Sequence, residues 1–323
     1  MQTRRMKILF MGTPEFAVAS LSTLLEGGQE IVGVVTAPDK PAGRGKQIQS
    51  SAVKKFAVEQ DLKILQPENL KSGDFITELN ELAPDLIVVV AFRMLPEEVW
   101  ELPPLGTINL HASLLPNYRG AAPINRVLMN GEKETGVSTF FIEKEIDTGK
   151  IIFQETVPIN PEDDAGILHD RIMNKGAELL IKTVRAIKDG NPPRIDQSEF
   201  IKPGEKLKTA PKVHKEDCLI DWNQPVQKVY DHVRGLSPYP AAWTTIVSPE
   251  GEERTIKVFA SEKKERDSVF PPGTLLSDGK NRIEVVCSQG ILNLKEVQIE
   301  GKKRMDIEEF CRGIKNLESY NTK

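Results

Sequence analysis

The chain has 323 residues, enough for two domains, and an apolar fraction of 39% can give each domain a buried core. Its 43 basic and 47 acidic residues give a formal net charge of −4, which excludes a generally basic nucleic-acid-binding surface and restricts any nucleic-acid contact to a local patch. The three cysteines are far apart and lack a C-x-x-C spacing, which excludes a zinc or dithiol motif and indicates a reduced, cytosolic protein.

Short apolar runs alternate with helix-like segments through the first half of the chain. The strand-like runs are at residues 7–11, 30–36, 85–92 and 107–112. Their composition is typical of strands buried on both faces, so the alternation predicts βαβ units and a parallel sheet. The longest clean apolar run, residues 86–92, is far shorter than the roughly 20 residues of a membrane span. The N-terminal segment has only about six mostly apolar residues before a helix-start signal, too few for a signal peptide, so we expect no membrane association.

The second half of the chain changes in character. Two further strands at residues 136–143 and 150–159 precede a helix over about residues 164–188. Residues 190–211 are rich in proline, glycine and charge, as linkers are. A short helix and several strand-like runs then predict a small β-rich domain, most simply a barrel. The predicted division is a first domain over residues 1–189, a linker over 190–211 and a second domain over 212–323.

Two nucleotide-binding motifs fail in detail. Gly12 ends the first strand and opens a helix, but the segment "GTPEFA" lacks the later glycines of G-x-G-x-x-G. Pro14 also removes a backbone N–H from the turn, and Glu15 adds negative charge at the helix N-terminus. The segment "AGRGKQ" lacks the first glycine and the Ser or Thr of a P-loop. Neither a dinucleotide site nor an NTPase loop is therefore predicted.

A basic connection over about residues 38–51 carries Lys40, Arg44 and Lys46 on a Gly/Pro frame. Residues 38–55 contain five basic residues and one acidic residue, a local excess of +4 in a chain that is negative overall. One interpretation is a solvated surface loop. The other is a structureless, mobile cationic loop that binds the phosphates of a nucleic acid, since long connections inside a compact domain are often functional.

Asn109 and His111 lie where a predicted strand gives way to a loop. Residues i and i+2 of a strand point to the same face, so the two side chains can project together. Ligands of open parallel sheets bind outside the carboxyl ends of the strands, which favours a functional role. The alternative is a structural histidine that packs near an apolar strand.

Asp147 lies in an Asp-Thr-Gly turn, where aspartate is commonly only a turn former. If its carboxylate reaches His111, it orients or charges the imidazole, while His111 and the amide of Asn109 donate hydrogen bonds to a developing oxyanion. Such a site suits acyl or formyl transfer to a nucleophile that the substrate supplies. No metal is needed.

Several segments make the chain resemble the methionyl-tRNA formyltransferases nearly from end to end: "ILFMGTPEFA", "PDKPAGRGK", "INLHASLLPNYRGAAPI", "DTGKI", "IDW" and "VRGLSPYPAAW". The Asn-x-His-x-Ser-Leu-Leu-Pro block and the Asp-Thr-Gly turn are shared with the wider family that takes formyl groups from 10-formyltetrahydrofolate. The resemblance implies a Rossmann-like α/β catalytic domain, with a mostly parallel sheet and helices on both faces, followed by a smaller OB-like β-barrel that binds tRNA.

The resemblance also implies residue roles. The catalytic residues are Asn109, His111 and Asp147. The folate site is formed by Ser113, Leu114, Leu115 and Pro116. The acceptor end of initiator methionyl-tRNA is bound by Lys40, Arg44 and Lys46. We expect a cytoplasmic monomer with 10-formyltetrahydrofolate as formyl donor.

The chain departs from the family pattern at two positions. Ala112 replaces a common glycine, and Arg93 replaces a small residue in "AFRMLP", near the expected pterin pocket. Residues before Met6 lie outside the resemblance, so Met6 is a possible start. Two other hypotheses stay open: a formyltransferase for a small amine such as a nucleotide or sugar, and a tRNA-binding protein without activity. A second domain and the Arg44 loop disfavour the first, and retention of the three catalytic residues disfavours the second.

Overall fold

The computed structural model describes residues 5–42, 47–314 and 319–323. The described chain divides into two compact units. Unit 1 comprises Met1–Gly120, Glu134–Pro158 and His169–Thr209. Unit 2 comprises Ala121–Lys133, Ile159–Leu168 and Ala210–Lys323.

Unit 1 is built on a mostly parallel sheet. Its strands, in chain order, are β1 (Lys7–Gly12), β2 (Glu30–Val35), β3 (Lys40–Ala42), β4 (Gln47–Gln49), β5 (Ile64–Leu65), β6 (Leu86–Val90), β7 (Thr107–His111), β8 (Glu134–Phe141) and β9 (Ile151–Pro158). Among the described residues, seven of them form one sheet in the order β5-β2-β1-β6-β7-β8-β9. The pairs from β5 to β7 are parallel, whereas β8 and β9 add antiparallel. The predicted α/β class is therefore confirmed.

Helices cover both faces of this sheet. They are α1 (Glu15–Glu26), α2 (Ala52–Glu59), α3 (Gly73–Leu82), α4 (Glu97–Trp100) and the unit 1 part of α6 (Ala165–Lys188); α5 (Pro123–Met129) belongs to unit 2. On one face, Met11 and Val89 pack with Phe75 of α3. On the other, the Thr139 and Thr183 hydroxyls share a 2.8 Å hydrogen bond that joins β8 to α6. The apolar strand composition arises because both faces are buried.

The basic connection contains two short strands on either side of residues 43–46, which lie outside the described residues. Strand β3 pairs antiparallel with β4, and Lys40 lies opposite Gln49. The expectation of a structureless connection was therefore wrong. Two- and three-residue strands carry too weak a periodic pattern to be recognised from the sequence.

Most of the predicted linker belongs to unit 1. Ile195 exchanges two backbone hydrogen bonds with Ile151, at 2.8 and 2.9 Å. The Tyr118 N–H donates to the Lys208 carbonyl at 2.6 Å, and Arg119 forms a parallel bridge with Thr209. This segment has no hydrophobic period because backbone hydrogen bonds, rather than a buried helix or strand face, hold it in place.

Unit 2 contains an antiparallel, barrel-like sheet. After α5 it has α7 (Val226–Leu236), β10 (Ala242–Val247), β11 (Glu253–Lys264), β12 (Leu275–Ser277), β13 (Ile283–Val286), β14 (Ile291–Ile299), β15 (Met305–Asp306), α8 (Ile307–Gly313) and β16 (Asn321–Thr322). The strand order is β12-β13-β14-β11-β10-β16, with β15 beside β14. A bridge between Thr274 and Asn321 brings the first and last strands of this order together. The predicted β-barrel is thus confirmed.

The core of unit 2 contains all three cysteines as free, buried thiols. Burial raises the pKa of the Cys287 thiol to about 12, so this thiol is neutral at physiological pH. Within the described residues, every helix is too short or too polar to cross a bilayer.

A substitution at Gly149, in the turn after β8, tests how closely the backbone of unit 1 is packed there. A Cβ added at Gly149 would lie 1.7 Å from the Phe141 carbonyl oxygen. We expect Gly149→Ala to lower the free energy of unfolding by about 3 kcal/mol or more, because backbone atoms must move to accept the methyl group. The measurement is chemical denaturation of the purified variant.

The matched control is Gly73→Ala at the first residue of α3, where an added Cβ meets no atom within 4 Å. It should leave stability unchanged or slightly raised, because alanine has less freedom to lose on folding. Equal stability of the two variants would contradict the packing described for the turn.

Candidate active site

Asn109 and His111 lie at the carboxyl end of β7 in unit 1. Asn109 is opposite Val89 of β6 and Phe140 of β8, and His111 is the last residue of the strand. Because side chains alternate along a strand, both project from the same face. This end of the parallel strands is where open α/β sheets bind their ligands.

The imidazole of His111 is held between two protein groups. Its Nε2 atom lies 2.9 Å from the Tyr118 carbonyl oxygen. A carbonyl only accepts hydrogen bonds, so Nε2 carries a proton and donates it. Its Nδ1 atom lies 3.8 Å from Oδ2 of Asp147. That separation allows an ion pair with a charged imidazole but is too long for a hydrogen bond.

The carboxylate of Asp147 is fixed by the backbone. Its Oδ2 accepts a 2.9 Å hydrogen bond from the Gly120 N–H. Asp147 has a φ of +55°, a left-handed conformation that aspartate tolerates better than most residues. Asp147 is therefore a turn former that also faces His111. Forming the turn and facing His111 are therefore compatible for this aspartate.

The side-chain amide of Asn109 is available to a ligand. Asn109 is partly buried, and the part of the chain that the structure describes gives its amide no hydrogen bond. Two amide N–H donors and the ring of His111 thus share one face beside a carboxylate. Such an arrangement can stabilise a developing oxyanion and accept a proton nearby. Across the described residues, no three His, Cys, Asp or Glu side chains are grouped to hold a metal ion.

The segment predicted to bind folate is a rigid turn after β7. The Ser113 hydroxyl donates to the Asn117 carbonyl at 2.7 Å. The Ser138 hydroxyl donates to the Ser113 carbonyl at 2.6 Å and accepts from the Leu115 N–H at 3.1 Å. Gln154 Nε2 also donates to the Leu115 carbonyl at 2.8 Å. Protein groups therefore use much of the polar backbone of this turn.

The side chains of this turn differ in burial. Ser113 is fully buried, and Leu115 is 1% exposed and packs with Phe140 and Ile151. Leu114 is partly buried and lies close to Gly136, while Pro116 is buried. The contact of this segment with folate stays a prediction.

Lys40 is exposed on β3, while Arg44 and Lys46 lie outside the described residues. The base of the basic connection is anchored at Asp39, whose carboxylate bonds Lys54 at 2.5 Å and Gln66 at 3.0 Å. These contacts, Lys54 first, hold the pKa of Asp39 below its ordinary value.

Arg93 is engaged with the loop that follows β5. Its guanidinium donates to the Glu68 carbonyl at 2.8 Å and to the Pro67 carbonyl. Arg93, which departs from the family pattern, therefore joins the loops after β5 and β6.

Sequence reasoning missed the residues that hold the site together. Ser138 pins the turn after β7, and it lies opposite His111 across the sheet. Gln197 contacts Arg119 and the carbonyls of Asp147 and Gly149. The pairing register of β7 and β8 cannot be read from the sequence, so the sequence could not identify Ser138. Gln197 follows Asp196 and precedes Ser198, and an aspartate two residues before a serine is a usable signal of a capped turn.

The chain is similar to known proteins along its whole length. The formyl transferase family model matches residues 5–184, and the formyl transferase C-terminal domain model matches residues 212–315. The chain is 52% identical to the methionyl-tRNA formyltransferase of Bacteroides fragilis over 323 residues, covering 100% of this chain and 99% of the relative. It is 52% identical to that of Parabacteroides distasonis over 321 residues, 99% of each chain.

Solved structures share the fold. A sugar 3N-formyl transferase, WlaRD, crystallised in the presence of dTDP and 5-N-formyl-THF, matches with a TM-score of 0.64 and 20% identity over 93% of this chain and 100% of that chain. HypX from Aquifex aeolicus in complex with tetrahydrofolic acid matches with a TM-score of 0.63 and 17% identity over 95% of this chain and 47% of that chain. The two family models and the full-length relatives show that the chain belongs to the formyltransferase family, among the methionyl-tRNA formyltransferases.

Proposed function

We propose that this protein transfers the formyl group of 10-formyltetrahydrofolate to the α-amino group of methionyl-initiator tRNA, which supplies N-formylmethionyl-tRNA for translation initiation. The observation that carries the proposal is the placement of Asn109, His111 and Asp147 at one end of the parallel sheet. Full-length relatives with this activity in their names support the substrate assignment. The enzyme acts in the cytoplasm as a monomer.

Asn109 and His111 stabilise the oxyanion of the transfer. The unprotonated α-amine attacks the formyl carbon, and the carbonyl oxygen becomes negatively charged. The Asn109 amide has donors to offer, and His111 offers Nδ1–H when the ring is charged, because its Nε2–H is already bound to the Tyr118 carbonyl. One such donor contributes roughly 100- to 1,000-fold in rate.

Asp147 supports the charge on His111 and assists removal of the amine proton. Its Oδ2 atom faces the Nδ1 side of the ring, where the oxyanion forms. As the new carbon–nitrogen bond forms and the old one breaks, one proton leaves the amine and one reaches the departing folate nitrogen. General-base assistance of this kind contributes about 100- to 10,000-fold.

The formyl donor is held beside the turn after β7. Residues 113–116 form one border of the folate site, and the hydrogen bonds from Ser138 and Gln154 keep that border rigid. The side-chain amide of Asn109, which has no hydrogen bond within the described residues, is the donor for the formyl oxygen. A rigid border favours transfer because the reacting atoms are positioned before the reaction begins.

The tRNA is bound by the basic connection and by the β-barrel. Lys40, Arg44 and Lys46 supply the local positive charge for the acceptor end, within a chain that is negative overall. In this division of labour, residues 1–189 catalyse, residues 190–211 connect and residues 212–323 help to bind tRNA.

The direct test is a formyl-transfer assay with purified protein, 10-formyltetrahydrofolate and charged initiator tRNA. We expect N-formylmethionine after hydrolysis of the tRNA ester. Amino sugars and amino nucleotides serve as competing acceptors. Formylation of these small amines, with none of the tRNA-bound methionine, would contradict the proposal.

Replacing the charged Asp147 carboxylate with a neutral amide should lower the reaction rate and leave the folded structure intact. Asp147→Asn keeps an acceptor for the Gly120 N–H and tolerates the positive φ, but it removes the carboxylate charge. We expect kcat to fall at least about 100-fold with little change in thermal stability, and a comparable fall for His111→Ala. Steady-state kinetics and thermal melts measure both. Near-normal turnover in a folded variant would remove that residue from the mechanism.

The basic connection should act on tRNA alone. Arg44→Ala should lower kcat/KM for charged tRNA about tenfold or more, because a charged contact that positions the amine is lost. The KM for the formyl donor should be unchanged. The matched control is Lys55→Ala, which removes one exposed positive charge from α2. If the two variants had equal effects at physiological salt, Arg44 would contribute only general surface charge and no specific contact with tRNA.

A further inference from the structure

Gln197 lies in the segment that the sequence presented as a linker, yet it is only 3% exposed. It begins a short 3₁₀ helix, Gln197–Phe200. Asp196 caps this helix by accepting a 2.9 Å hydrogen bond from the Ser198 N–H. The cap fixes the backbone from which the Gln197 side chain reaches the active site.

The amide of Gln197 uses its full hydrogen-bonding capacity. Nε2 donates to the carbonyls of Asp147, at 2.9 Å, and Gly149, at 2.8 Å. Oε1 accepts from Arg119 through Nε at 3.1 Å and Nη2 at 2.6 Å. A glutamine amide has two N–H donors and one oxygen with two lone pairs, so each is satisfied here. The orientation of this amide is therefore fixed.

These contacts close a ring around Asp147. Arg119 precedes Gly120, whose N–H binds the Asp147 carboxylate at 2.9 Å. Gln197 holds the main chain of Asp147 on one side and Arg119 on the other. The φ of +55° at Asp147 is disfavoured for a residue other than glycine, and such conformations persist when surrounding contacts over-determine them. The ring supplies those contacts.

We propose that Gln197 is a positioning residue for the formyl transfer: through Arg119 and the Asp147 turn, it sets the distance between the Asp147 carboxylate and Nδ1 of His111. The inference rests on the proposed function, because it assigns Asp147 a role in catalysis. Gln197 itself touches no reacting atom. Replacing Gln197 should lower kcat and leave KM unchanged, because a misplaced carboxylate slows the chemical step without weakening substrate binding.

Two variants at Gln197 separate its bonds. Gln197→Glu keeps an oxygen for Arg119 but replaces both donors with an acceptor that repels the carbonyls of Asp147 and Gly149. Gln197→Ala removes all four hydrogen bonds. We expect kcat to fall about tenfold or more in both, with the KM for each substrate within about twofold of wild type. Ser198→Ala, an exposed neighbour in the same short helix, is the matched control and should keep full turnover.

The decisive measurement is a double-mutant cycle with Asp147→Asn. If Gln197 acts through Asp147, adding Gln197→Ala to Asp147→Asn should lower kcat by less than about threefold more. A merely structural role would multiply the two losses. If Gln197→Ala fails to fold, Gln197→Glu and Arg119→Lys take its place in the cycle, since lysine cannot make the paired contact of the guanidinium.

The outcomes distinguish this inference from the proposed function. Absence of formyl transfer by wild-type protein would overturn the proposed function. Transfer by wild type together with normal kcat in folded Gln197 variants, or with fully multiplicative losses in the cycle, would overturn the positioning role alone.

Discussion

The hydrogen bond from the Gly120 N–H to the Asp147 carboxylate is the contact on which the site depends. It joins the turn after β7 to the turn after β8, the two connections that carry the reactive groups. A backbone donor has a fixed position, so the carboxylate is held without the entropy that two long side chains would lose on pairing. Asp147 can then face His111 at 3.8 Å without a direct hydrogen bond between them.

The sheet places the remaining groups around this contact. Strand β7 ends at His111, so Asn109 and His111 project together at the carboxyl edge. Strand β8 runs antiparallel to β7 and brings Ser138 to the turn that holds Leu115. An antiparallel strand beside the last parallel one thus supplies a serine that fixes the predicted folate border. The parallel strands supply the crevice, and the antiparallel addition stabilises one side of it.

The alternation of strands and helices, the shared face of Asn109 and His111, and the β-rich second unit were predictable from the sequence. Each follows from a local period of side chains. The contacts of Gln197, Arg119 and Ser138 were not predictable, because they join segments 16 to 78 residues apart. Residues 190–209, where proline and charge suggested a linker, belong to unit 1 and form backbone hydrogen bonds that their composition did not reveal.

The state of the His111 ring links the geometry to the chemistry. Its Nε2–H is committed to the Tyr118 carbonyl, so Nδ1 is the nitrogen left to face Asp147 and the substrate. The most direct test is the nitrogen-15 NMR spectrum of the imidazole, with the His111 signals assigned by their loss in His111→Gln among the four histidines of the chain. At a pH where the ring is neutral, we predict a proton on Nε2 and a lone pair on Nδ1. A neutral ring protonated on Nδ1 would contradict this arrangement of the site.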